Sequence, residues 1–99
     1  MVTKSGTLGS LTVASAAGAK EGDTAITVTE TALAGTTYKY KTDTSVDLPA
    51  LDDDLSAWAD WDGTAEITAK DGDEIVIAEV NYKGLAKSAG KATVDSTAL

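Results

Sequence analysis

An all-β, seven-stranded antiparallel β-sandwich is the fold class that the sequence predicts, and three observations predict it. Apolar and polar residues alternate in short runs at the strand period of two, as in Thr24-Ala25-Ile26-Thr27-Val28-Thr29. Turn residues rich in Gly and Asp, such as Glu21-Gly22-Asp23 and Asp71-Gly72-Asp73, separate the runs. Ninety-nine residues without Cys fit one domain that holds together through its core and not through staples.

The elements follow in order. Residues 1–10 are rich in Gly, Ser and Thr and read as a flexible arm; the single domain then spans 11–99. Leu11 and Val13 alternate with Thr12, which places a first strand over about 7–14. The second strand is 24–29, with Ile26 and Val28 on one face. The third, 36–42, turns Tyr38 and Tyr40 one way and Lys39 and Lys41 toward solvent. Residues 65–70 alternate again through Ala65, Ile67 and Ala69. Residues 74–80 are apolar on both faces, as a central strand is. The final run, 86–94, places Ala86, Ser88, Ala92 and Val94 on one face and Lys87 and Lys91 on the other.

Residues 43–63 break this rhythm. They hold the only Pro, the acidic run Asp52-Asp53-Asp54, and Leu48, Leu51, Leu55 and Trp58 at helix-like spacing. Two readings stay open: a short helical turn opened by Pro49, or a covering loop with a poor edge strand. An edge strand here brings the count to seven.

Composition removes whole classes of chemistry. His and Cys are absent, so no Ser-His-Asp or Cys-His arrangement and no His- or Cys-ligated zinc site can be built. Sixteen acids face eight Lys and no Arg, for a net charge of −8. Nucleic acid and anionic membrane surfaces are both bound through basic clusters, so neither is an expected partner. No run approaches the ~20 apolar residues of a spanning helix, and no signal peptide is visible. The Gly6-x-x-Gly9 spacing lacks the Lys-Ser/Thr of a phosphate loop. No cofactor is implied, and no enzyme is expected.

Candidate binding residues collect in the irregular segment. Trp58 and Trp61, with Asp60 and Asp62 beside them, could present an aromatic face and carboxylates to a sugar ring or a protein pocket. The expectation is that Trp58 is buried and Trp61 partly exposed. Asp52, Asp53 and Asp54 form a weak Ca²⁺ candidate, since calcium takes six to eight oxygens in a wrapped geometry. Asp60-x-Asp62-Gly63 fails as an EF-hand loop, because Trp58 and Ala69 stand where ligands belong. Adjacent acids also serve as a solvated loop that discourages edge pairing.

Ile75-Val76-Ile77-Ala78-Glu79-Val80-Asn81-Tyr82-Lys83-Gly84, followed by Thr93-Val94, resembles the last two strands of fibronectin type III and related immunoglobulin-like domains. Tyr38-Lys39-Tyr40-Lys41, Trp58-Ala59-Asp60-Trp61-Asp62-Gly63 and Ile67-Thr68-Ala69 resemble the middle of such domains. The order of these runs after Leu11-Thr12-Val13 and Ile26-Thr27-Val28 is also similar to small immunoglobulin-like modules of tailed-phage particles. The resemblance implies an immunoglobulin-like (fibronectin type III-like) β-sandwich without catalytic residues. It further implies a head-decoration or accessory module at the virion surface, bound to capsid or other particle proteins through an edge or end of the sandwich. Homo-oligomerisation on a symmetric lattice would fit it. The alternative is a carbohydrate-binding module at the cell surface or outside the cell, using the aromatics of 43–63.

Overall fold

Glu74–Val80 is apolar at nearly every position, and the other strands are arranged around it. The computed structural model describes residues 9–30 and 35–96. Eight strands form: β1 Gly9–Ser10, β2 Val13–Ala17, β3 Asp23–Val28, β4 Thr37–Asp43, β5 Ala59–Trp61, β6 Ile67–Thr68, β7 Glu74–Val80 and β8 Ala86–Thr93. They build a five-stranded sheet in the order β1-β8-β7-β4-β5 and a three-stranded sheet in the order β2-β3-β6. The all-β sandwich is therefore as expected, with eight strands instead of seven.

The extra strand comes from the first run. The chain leaves the large sheet after Ser10 and joins the small one at Val13. Leu11 N–H still donates to Ala89 (3.0 Å), while the Thr12 carbonyl accepts from Thr29 in the small sheet (3.1 Å). The Glu30 carboxylate holds this crossing, accepting Thr12 N–H at 2.6 Å and Thr12 Oγ1 at 2.8 Å. These bonds hold the Glu30 carboxyl below the usual carboxylate range. β1 pairs with β8 in parallel, whereas the remaining ladders are antiparallel.

Register fixes the two faces of the large sheet. Tyr38, Tyr40, Ile75, Ile77 and Ala92 turn inward and join Ile26 and Ile67 of the small sheet in the main core. Val76, Ala78 and Val80 turn outward into a second cluster. Ile75, Val76, Ile77 and Ala78 are fully buried. Each large side chain so placed contributes about 1.5–3 kcal/mol relative to exposure.

The face assignment of the last run needs correction. Glu79 pairs with Ser88 but Val80 pairs with Ala86, so a bulge at Lys87 shifts the alternation. Ala86 consequently packs in the outer cluster and Ala92 in the inner one. The expected strand over 65–70 shrinks to two residues, because Ala69 already closes the turn by donating to Gly22 (3.1 Å).

Gly90 lies on the inner face, where the Leu11 crossing passes over β8. A methyl group there would fall on the Leu11 carbonyl oxygen and within 2.8 Å of Val13 Cγ2. Both obstacles belong to the crossing itself, which cannot retreat without breaking the Leu11–Ala89 bond. Gly90→Ala should cost about 1–3 kcal/mol, the usual penalty of overpacking. A lowered urea midpoint with an unchanged slope would show it, and a midpoint equal to the wild type would refute this account of Gly90.

Candidate functional site

A sheet with a second apolar face needs a second cover, and the irregular segment supplies it. No helical turn forms in 43–63. After β4 the chain runs as a strap over the outer face to the β8 edge, then returns to become β5. At the far edge it forms a short ladder: Asp52 N–H donates to Ala86, Ala86 N–H to Asp53, and Leu55 N–H to Gly84, each at 2.8 Å. Val46 and Leu55 bury against Val76, Ala78, Val80, Ala86 and Ala89, with Trp58 packed alongside. Of the residues at helix-like spacing, Leu55 is buried in this cluster and Trp58 packs against it, while Leu51 is partly buried and Leu48 half exposed.

Carboxylates pin the strap at both ends. Glu74 Oε1 accepts Val46 N–H at 2.8 Å and meets Lys91 Nζ at 3.3 Å. Asp52, in the left-handed region at φ 68°, reaches Lys87 Nζ at 2.5 Å. Asp53 accepts Ala50 N–H and Asp54 accepts Ser56 N–H, so each closes its own turn. The three adjacent acids thus point to three different partners. Among the described residues no group of three His, Cys, Asp or Glu is placed to hold a metal ion.

The tryptophans reverse the expectation. Trp61 is 7% exposed and sits in the main core. Pairing with Tyr38 in register turns it inward; the two rings lie 5.3 Å apart at 53°, and its indole N–H donates to Ala65 at 2.7 Å. Trp58, three residues earlier on the strap, is only partly buried. Asp60 is exposed and pairs across strands with Lys39 at 2.5 Å. Asp62 accepts Ala65 N–H (2.7 Å) and Thr64 N–H (2.8 Å). Those bonds hold its carboxyl below the ordinary range.

The small sheet ends at the two-residue β6, so the described residues leave the inner face of β4 and β5 uncovered at one side. An open groove of about 550 Å³ results, lined by Tyr38, Tyr40, Trp61, Asp60, Asp62 and Glu66. Burial and the nearby carboxylates of Glu79 and Glu30 push the Tyr38 hydroxyl above its usual pKa. Of the four residues picked from the sequence, the groove brings together Trp61 and Asp62; Asp60 borders it but turns its carboxylate to Lys39 on the other face, where Trp58 also lies. Tyr38, Tyr40 and Glu66 join Trp61 and Asp62, a set that strand alternation alone could not assemble.

The sequence pattern of the S-layer protein SbsC C-terminal domain family matches residues 16–97. The chain belongs to this family. In the family match, both sheets except β1 and the start of β2 are included. A solved structure, the crystal structure of the S-layer protein SbsC, domains 7, 8 and 9, is similar at a TM-score of 0.69 and 24% identity. The likeness covers 89% of this chain and 29% of that one, so the chain spans under a third of its length. Identity at that level speaks for the fold alone. No curated protein matches. Membership in the SbsC C-terminal domain family overturns the phage-particle expectation: capsid partners and a virion location lose their basis, and the shared β pattern was too general to separate the two.

Glu74 gives a pH test of the strap. Its carboxyl is held below the usual range, first by Val46 N–H and then by Lys91. Folding therefore favours the ionised form. That stabilisation is present above the unfolded pKa and is lost as pH falls through the lower folded value. Thermal melting between about pH 7 and pH 2 should show a loss of stability that flattens in Glu74→Gln. Parallel curves for the two proteins would exclude Glu74 as a source of the acid sensitivity.

Proposed function

We propose that this chain is a non-enzymatic structural module of a cell-surface S-layer protein, one of several carried end to end. The observation that carries the reading is the family match over residues 16–97. Strand direction supports it. β1 runs parallel to β8 and enters beside the start of that strand, while Asp95 and Ser96 leave beyond its end. The two described ends of the chain therefore lie at opposite poles, as modules threaded in series require. The similar structure holds three domains and is spanned to 29% by this chain, which fits one module of such a series. The strand order is read here as immunoglobulin-like, with the strap as an addition to it.

Antibody raised against the module should label intact, unpermeabilised source cells. Label that appears only after permeabilisation would overturn the surface assignment.

A second reading rests on the groove. Volumes of about 300–1,000 Å³ lined by aromatics and a few placed polar groups are typical of small-ligand sites, and this one combines Tyr38 and Tyr40 with Asp62 and Glu66. A cell-wall saccharide would meet ring faces and carboxylate acceptors there. Saccharide fragments should perturb Trp61 emission in wild type and do so at least tenfold more weakly in Tyr40→Ala. Emission unchanged at about 10 mM of every fragment would sink it.

A further inference from the structure

We propose that the β7–β8 hairpin tip, Tyr82-Lys83, docks on the acidic opposite pole of a second copy of this chain, joining copies head to tail. The inference rests on the surface-assembly reading and deepens it by naming the partner and the contact.

Tyr82 is 86% exposed, the most exposed large hydrophobic side chain among the described residues. Lys83 Nζ lies 5.7 Å from its ring centre, so the pair presents an apolar face and a positive charge together. The tip is also rigid. Asn81 Oδ1 accepts Lys83 N–H (2.9 Å) and Leu85 N–H (3.1 Å), and Gly84 N–H donates back to Asn81 (2.9 Å). A tip already held in shape loses little freedom on docking. Beside it a hollow of about 340 Å³ lies between Ser56, Val80 and Gly84, with room for a partner's turn.

Charge selects the occupant. Lys39, Lys87 and Lys91 are engaged by Asp60, Asp52 and Glu74, whereas Lys83 makes no ion pair among the described residues. At the opposite pole the turns 18–22 and 69–73 are tied to the C-terminal run. Ala69 N–H donates to Gly22 (3.1 Å), Gly72 N–H to Val94 (2.9 Å) and Ser96 N–H to Asp71 Oδ1 (3.0 Å). This gathers Glu21, Asp23, Asp71, Asp73 and Asp95 against only Lys20 and Lys70. Copies with a net charge of −8 repel in most orientations. Tip against acidic pole is the orientation that attraction favours. Such a contact uses different surfaces on the two copies, so it extends in a line and does not close as a dimer.

Sedimentation equilibrium of the whole chain at about 0.15 M salt, where the Debye length is about 8 Å, tests it. Wild type should associate in the micromolar to millimolar range, and Lys83→Glu and Tyr82→Ala should each weaken association at least tenfold. The acidic-pole variant Glu21→Lys/Asp95→Lys should weaken it likewise. Mixing it with Lys83→Glu should restore association as oligomers in which the two variants alternate, because tip and pole then carry opposite charges at both cross-contacts. All substituted side chains are exposed, and unchanged melting curves would confirm that the fold is kept. Wild type that stays monomeric at about 1 mM, or association indifferent to Lys83→Glu, would overturn the contact. Neither result touches the surface assignment, which the labelling of intact cells decides separately.

Discussion

The structure depends on one constraint: β7 is apolar on both faces and must be covered on both. A sandwich of two sheets normally covers one face of each strand and leaves the other to water. Here Ile75 and Ile77 meet the small sheet, while Val76, Ala78 and Val80 would face solvent. Apolar side chains gain nothing from hydrogen bonding, and among the described residues there is no third sheet to cover them. The strap from Thr44 to Trp58 answers the constraint. Its apolar residues drop onto β7, and its backbone borrows the edge of β8 at Ala86.

The acidic composition follows from the same arrangement. Much of the carboxylate inventory is structural: Glu74 pins Val46, Asp52 meets Lys87, Asp53 and Asp54 close turns in the strap, and Glu30 fastens the crossing at Thr12. A carboxylate can accept backbone N–H groups that an irregular segment leaves without a ladder partner. The strap between β4 and β5, without regular structure, therefore needs such acceptors at close intervals. Asp-rich runs that read as ligands or solvated loops serve here as local backbone acceptors.

Strands whose pattern is local were legible: β3, β4 and β7 follow from alternation in Ile26-Thr27-Val28, from Tyr38 and Tyr40, and from the unbroken apolar run after Glu74. What depends on neighbours was not. The split of the first run at Leu11-Thr12 is invisible in an unbroken alternation, because only the position of β8 makes the chain change sheets. The bulge at Lys87 inverts one face without any residue that announces it. Trp61 turned inward because its strand partner is Tyr38, a pairing across more than twenty residues. The segment 43–63 stands out in the sequence as irregular, and of the two readings it allows, the covering loop is the one that forms.

The parallel pairing of β1 with β8 has a mechanical consequence. Gly9 and Ser10 lie alongside Ser88 and Ala89, and Leu11 adds a further bond to Ala89. The chain enters at one pole and leaves at the other, so tension along it drags these two strands past each other in opposite senses. Bonds loaded in that geometry bear force together, whereas an antiparallel hairpin pulled from its open end gives way one rung at a time. Behind the β1 ladder stands the Gly90–Leu11 contact, too close to admit even a methyl group. Under tension, that small patch would set how far the module stretches before it opens.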